Sequence, residues 1–213
     1  MNNKRVWLDL CSGLGGASQP ALDRGLTVIR VDMDRRFKPD VVADVRALPL
    51  APFPVDVLWA SPPCQQFSLH GLRCFHPHPP APDLSIATAI RSINRTWAPR
   101  CWFVENVWAA RPFLNPIFGP LAARLPGHAI WSNQLVLFPN VAPHKGSANQ
   151  KAGSGKRWGS FGRITRPAHT RAWFEARGMS YIGTGHNGMA AVEAARIPYE
   201  IGETICRLIE ALG

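Results

Sequence analysis

No apolar run in this chain approaches the ~20 residues that a membrane-spanning helix requires. Its first residues, Met1-Asn2-Asn3-Lys4-Arg5, lack the apolar stretch of a secretory signal, so we expect a cytoplasmic protein with no membrane partner. Cysteine is sparse: the five present, Cys11, Cys64, Cys74, Cys101 and Cys206, are odd in number and scattered. That is no disulfide framework, and it points to a reducing compartment. Acidic residues are few, 14 Asp and Glu against 24 Lys and Arg, for a formal charge of +10 and a pI near 10.1. Such a surplus suggests a polyanionic partner, most often nucleic acid, although a generic basic surface has the same total. The distribution is uneven: over residues 144–177 eight Lys or Arg stand against the single acid Glu175, which points to one basic lobe. There is no internal repeat, and 213 residues suffice for one well-cored domain with a small appended lobe.

What the chain does have is an alternation of short apolar strands and helical stretches. Residues 5–10 read as a strand that breaks at Cys11-Ser12-Gly13-Leu14-Gly15-Gly16, and residues 17–24 read as a helix. Residues 28–31, 40–43 and 55–60 read as further strands, the first two closed by Asp32 and Asp44. Residues 84–97 carry Ile86, Ile90, Ile93 and Trp97 on one helical face, residues 101–104 form another buried strand, and residues 129–137 look strand-like. A last helix shows an apolar stripe of Ile201, Ile205, Leu208, Ile209 and Leu212, with Pro198 in its first turn. The order predicts an α/β fold with a doubly wound, mostly parallel sheet.

The stretch Leu-Trp-Ala-Ser-Pro-Pro-Cys-Gln-Gln-Phe-Ser, residues 58–68, concentrates the chemistry. A strand runs into Pro62-Pro63, where no backbone N–H continues a ladder, and delivers Cys64 on a rigid turn. Most free cysteines are small buried hydrophobes, but a twin-proline turn followed by Gln65, Gln66 and Ser68 favours a nucleophile. Glu105 and Asn106 close the strand after Val104, and in a parallel sheet that end shares a rim with Cys64. A carboxylate there is costly to bury unless paired or protonated; otherwise it caps the next segment. The glycine turn permits close ligand approach. Asp32, 23 residues after Asp9, suits ribose hydroxyls, and Asp44 could accept from an adenine amino group. Carboxylates without phosphate donors suit a nucleoside carrying a cationic sulfonium; solvated loop acids are the plain alternative. Cys74, His76 and His78 match no common zinc spacing, so we expect no metal and a loop over the thiol. Residues 144–170, basic with Trp158 and Phe161 interleaved, have the composition of a nucleic-acid surface or of a disordered basic loop.

Together these motifs resemble the C5-cytosine-specific DNA methyltransferase family, most of all its compact phage-type members. The residues that carry the likeness are 8–16, Asp32, Asp44, Ser61-Pro62-Pro63-Cys64-Gln65 with Phe67-Ser68, Phe103-Val104-Glu105-Asn106-Val107, and 197–205. The resemblance implies a Rossmann-like S-adenosylmethionine-dependent methyltransferase fold and methyl transfer to C5 of cytosine in a flipped base. Cys64 would add to C6 and Glu105 engage N3. It implies S-adenosylmethionine held by Asp9, Leu10, Ser12, Gly13, Gly15, Asp32, Met33, Asp44, Val45 and Pro62. It implies double-stranded DNA met by Pro63, Gln65, Ser68 and Asn106, with Lys156, Arg157 and Arg163 contributed by the basic lobe. The expected organisation is a catalytic unit over 1–138, a target-recognition lobe over 139–188 and a returning helix over 189–213. The expected setting is a monomer in a bacterial or phage-infected cell, acting alone or with a specificity-providing partner. The family's Arg-rich Gln-x-Arg-x-Arg motif has no match, since Asn133-Gln134-Leu135-Val136 does not fit it. RNA as the substrate, a catalytically silent binding module and transfer of an altered one-carbon group stay open as alternatives.

Overall fold

The computed structural model describes residues 4–71, 78–138 and 197–212. Among them lies one seven-stranded sheet, ordered β3-β2-β1-β4-β5-β7-β6. Its strands are β1 (Val6–Leu10), β2 (Thr27–Asp32), β3 (Val41–Val42), β4 (Val57–Ala60), β5 (Cys101–Asn106), β6 (Ala123–Leu125) and β7 (His128–Ser132). The first five run parallel, with Trp7 opposite both Val28 and Val57 and Trp59 opposite Phe103. β7 is antiparallel to both neighbours. The sheet is thus the mostly parallel, doubly wound, Rossmann-like sheet expected from the sequence.

Alternation along the buried strands splits the core in two. Leu8, Leu58, Trp102, Val104 and Trp131 face α3 (Ser85–Trp97) and α4 (Arg111–Phe118). Trp7, Trp59, Phe103 and Ile130 face the other side, where Ala21 of α1 (Gln19–Asp23) and Ile201, Ile205 and Ile209 of α5 (Tyr199–Ala211) pack. The chain winds outward from β1 to β3 and then restarts at β4 beside β1. The strand order therefore reverses between β1 and β4, where open sheets of this kind leave a crevice at the carboxyl ends. No described helix is long and apolar enough to cross a membrane.

Several element bounds differ from the sequence expectation. β5 continues through Glu105 and Asn106, which are paired with Ile130 and Ala129 of β7 and are not loop residues beyond it. β7 stops at Ser132, and Leu135 and Leu137 are exposed. The turn arises because the Asn133 Oδ1 accepts from the Trp102 amide (2.9 Å) and the Ser132 Oγ accepts from the Gln134 amide (2.9 Å). Side-chain bonds there replace the ladder. A helix, α2 (Gln65–Gly71), begins immediately after Cys64. Pro198 caps α5 from outside instead of occupying its first turn. Cys74, His76 and the whole of residues 139–188 lie outside the described residues.

Candidate active site

Five strand ends and the turns that leave them build one cavity of about 710 Å³. β1 supplies the glycine turn, β2 and β3 supply acids, and β4 and β5 supply Cys64 and Glu105. The volume is within the ~300–1,000 Å³ usual for ligand pockets.

At the glycine turn the chain reverses through Cys11, Gly13 and Gly15, all at positive φ (55°, 49° and 69°). The Asp32 carboxylate, at the end of β2, ties this turn down. It accepts from the Gly13 amide (2.8 Å) and from the Asp34 amide (2.8 Å). Burial raises the Asp32 carboxyl above its ordinary range, and those two amide bonds oppose the rise. Because the Gly13 N–H is spent on Asp32, the turn is not set up as a phosphate cradle. Apart from the Glu105–His128 pair, the lining carries Asp32, Asp34 and Asp44 against Arg36, a balance that suits a cationic ligand.

Of the residues expected to hold a cofactor, Ser12, Gly13, Asp32, Met33, Asp44, Val45 and Pro62 line the cavity. Asp9, Leu10 and Gly15 do not. Asp9 is buried behind the turn, where its Oδ2 accepts from the Ser18 hydroxyl (2.5 Å) and burial pushes its carboxyl up to about 7. The Asp44 carboxylate, expected to take an adenine amino group, is forked by the Arg46 guanidinium (2.6 and 3.0 Å), which holds it below the ordinary carboxylate range.

At the opposite wall Cys64 follows the Pro62-Pro63 turn, and the buried Asn106 fixes that turn from the neighbouring strand. The Asn106 Nδ2–H donates to the Pro62 carbonyl (2.9 Å), and its Oδ1 accepts from the Val107 amide (2.9 Å). Ser68, one turn into α2, donates to the Cys64 carbonyl (3.0 Å). Pro63, Gln65, Cys64 and Glu105 all line the cavity. Burial pushes the Cys64 thiol up, the Glu105 carboxylate adds to the rise, and the Cys64 amide and Ser68 hydroxyl oppose it. Lys156, Arg157 and Arg163 lie outside the described residues.

The residue that sequence reasoning missed is His128. Its Nδ1 lies 2.8 Å from the Glu105 Oε1, and both side chains are about nine-tenths buried. It opens β7 directly after Pro126-Gly127, with Gly127 at φ 83° and Leu125 paired with His128. Pro then Gly at the centre of a two-residue turn is a legible hairpin signal. Trp59 and Ile86 also line the cavity without having been anticipated, and so do Cys11 and Ile197, which lie within the stretches 8–16 and 197–205 but were given no individual role.

No protein-family model matches the chain, and no curated protein sequence does. Solved structures show similarity to it. One is described as a DNA modification methyltransferase encoded within an E. coli prophage (18% identity over 61% of this chain and 45% of that one, TM-score 0.41). Another is the Entamoeba histolytica methyltransferase EhMeth (15% identity over 66% and 56%, TM-score 0.40). A third is the glycopeptide N-methyltransferase MtfA in complex with S-adenosyl-L-methionine (14% identity over 50% and 49%, TM-score 0.34). The match spans about half the length of each of these proteins.

Proposed function

We propose that this protein transfers a methyl group from S-adenosylmethionine to C5 of cytosine in DNA, through a covalent Cys64 adduct at C6. The observation that carries the reading is one cavity lined by a strand-end thiol, a strand-end carboxyl and an acid-rich glycine turn. The donor set fits the cofactor: carboxylates without a phosphate cradle match a nucleoside bearing a sulfonium. Ser12, Gly13, Asp32, Met33, Asp44, Val45 and Pro62 would hold it. When bound, it supplies the electrophilic methyl that C5 receives.

The protein's own residues do the rest. Cytosine C5 is too weak a nucleophile until the ring is made electron-rich. A flipped base, extruded at a cost of a few kcal/mol, presents C6 to Cys64. The thiol gives up its proton to water, its sulfur bonds to C6, and the C5=C6 electron pair becomes available at C5. Glu105 gives a proton to N3, so no charge builds on the ring. After methylation water takes the C5 proton, Cys64 leaves with its electron pair and is reprotonated by water, and N3 returns its proton to Glu105. Residues 139–188, including Lys156, Arg157 and Arg163, would meet the duplex, the chain acting as a monomer or with a specificity-providing partner.

Duplex DNA carrying 5-fluorocytosine should trap Cys64 as a covalent adduct, because the fluorine blocks loss from C5. Cys64→Ala should abolish labelled methyl transfer and leave cofactor affinity within a few-fold of wild type. Transfer that survives Cys64→Ala would end the reading, and transfer to tRNA with none to DNA would move the substrate to RNA.

A further inference from the structure

The Glu105 carboxyl has a buried imidazole, that of His128, beside it. Glu105 is opposite Ile130 across the β5–β7 ladder, and His128 is two residues before Ile130 on the same strand. A two-residue step returns to the same face of a sheet, so Glu105 and His128 are diagonal neighbours on one face. The two-residue hairpin turn fixes that register. Both side chains line the cavity that also holds Cys64.

Resting on the function just proposed, we propose that His128 is the positioning residue for Glu105. Its Nδ1–H donates to Oε1, and the carboxyl is held in one rotamer with its proton on Oε2, the oxygen that meets N3 of the base. The Nδ1–H tautomer is assigned as part of this inference, the arrangement in which Oε1 accepts and Oε2 is left for the base. A glutamate has three side-chain torsions, and a buried carboxylate without a donor costs several kcal/mol. One fixed bond addresses both problems.

The bond also changes strength during the reaction. As the Cys64 sulfur bonds to C6, the Oε2 proton passes to N3 and Glu105 becomes a carboxylate. The Nδ1–H···Oε1 bond is then charge-assisted, and so stronger than before addition. Only an interaction that strengthens on the way to the transition state raises kcat. When Cys64 leaves, the N3 proton returns to Oε2 and the neutral pair is restored. His128 therefore occupies the place of a fixed donor behind the carboxyl in a chain that lacks the arginine motif.

The experiment compares full-length wild type, Cys64→Ala, His128→Phe and His128→Asn in steady-state methyl transfer to cytosine-containing duplex DNA. Cofactor affinity is measured by calorimetry on each. Removing a preorganised donor should lower kcat on the order of a hundredfold in His128→Phe. KM for DNA and cofactor affinity should stay within about threefold if the role is local, as for a preorganised donor. The Asn amide nitrogen can occupy the place of Nδ1, so His128→Asn should recover most of kcat. If His128→Phe fails to fold, His128→Ala is read by the same criteria. Wild-type kcat in His128→Phe overturns the inference, as does an equal loss in His128→Asn with weakened cofactor binding. Wild-type transfer that is absent, or indifferent to Cys64, overturns the activity reading and this inference with it.

Discussion

At the scale of single residues, the two acids at the glycine turn carry different loads. Asp32 meets the cavity and two amides, whereas Asp9 is sealed beneath it with Ser18 as its hydrogen-bond donor. Burial raises the Asp9 carboxyl from an ordinary 3.8 to about 7. Between those values the folded protein keeps a proton that the unfolded chain has released. Stability from this residue is therefore full below pH ~4 and falls as pH rises to ~7, by roughly 4 kcal/mol in all. Asp9→Asn keeps an acceptor for Ser18 but has no proton to lose. Thermal melts should show it gaining on wild type at pH 8 and matching it near pH 4; a constant difference across that range would refute the account. Cys64 and Glu105 were legible because local sequence sets them in recognisable turns and strand ends. Asp9 was legible as an acid, but its burial was not, because burial depends on what packs over it.

Among the elements, α5 has a role beyond closing the core. A Cβ on Gly202 would run into the Ala17 carbonyl oxygen and the Pro20 ring, so the helix backbone lies directly against the chain leaving the glycine turn. Gly16 and Ala17 are themselves cavity lining. Gly202→Ala gains about 1 kcal/mol of helix propensity but forces that contact apart, at about 1–3 kcal/mol of overpacking. We expect a lower Tm together with weaker cofactor binding, read by calorimetry on the same sample. An unchanged affinity would separate α5 from the site. Arg24 joins the same interface by pairing with Glu203 and, at 3.1 Å, with Glu210. The stripe of apolar residues announced α5, but nothing in it indicated that its one glycine would face the turn. β7 was legible within residues 129–137, but β6 and the turn between them were missed, because β6 is only three residues long and has no strong alternation.

For the molecule as a whole, charge is segregated. Residues 139–196 carry nine Lys or Arg against two acids, most of the net +10. Within the described residues a second basic feature adjoins the cavity at the Glu105 end. The Arg111 and Arg124 guanidiniums lie 4.3 and 4.1 Å from the centroid of the half-exposed Trp108 ring. Val107 beside Trp108 and Gly127 near Arg124 both line the cavity. If these groups meet phosphates flanking a flipped base, DNA binding will weaken steeply with salt as counterions are released. Anisotropy titrations between 50 and 200 mM salt, conditions over which such binding falls strongly, test this. Arg111→Glu and Arg124→Glu should each lower the slope of log affinity against log salt by about 1. Slopes equal to wild type would remove both from the interface.

What the amino-acid sequence determined by itself was the alternation of strand and helix, hence the doubly wound sheet, and the Cys64 and Glu105 stretches. Both follow from local rules: apolar period, proline placement and glycine turns act within a few residues. Tertiary structure alone decided that Asp9 is sealed away, that the Gly13 amide is committed to Asp32, and that His128 stands behind Glu105. These depend on strand order and register, which bring residues 23 apart in the chain to 2.8 Å. No spacing rule reports such a meeting, because the antiparallel return of β7 beside β5 is set by packing of the whole sheet.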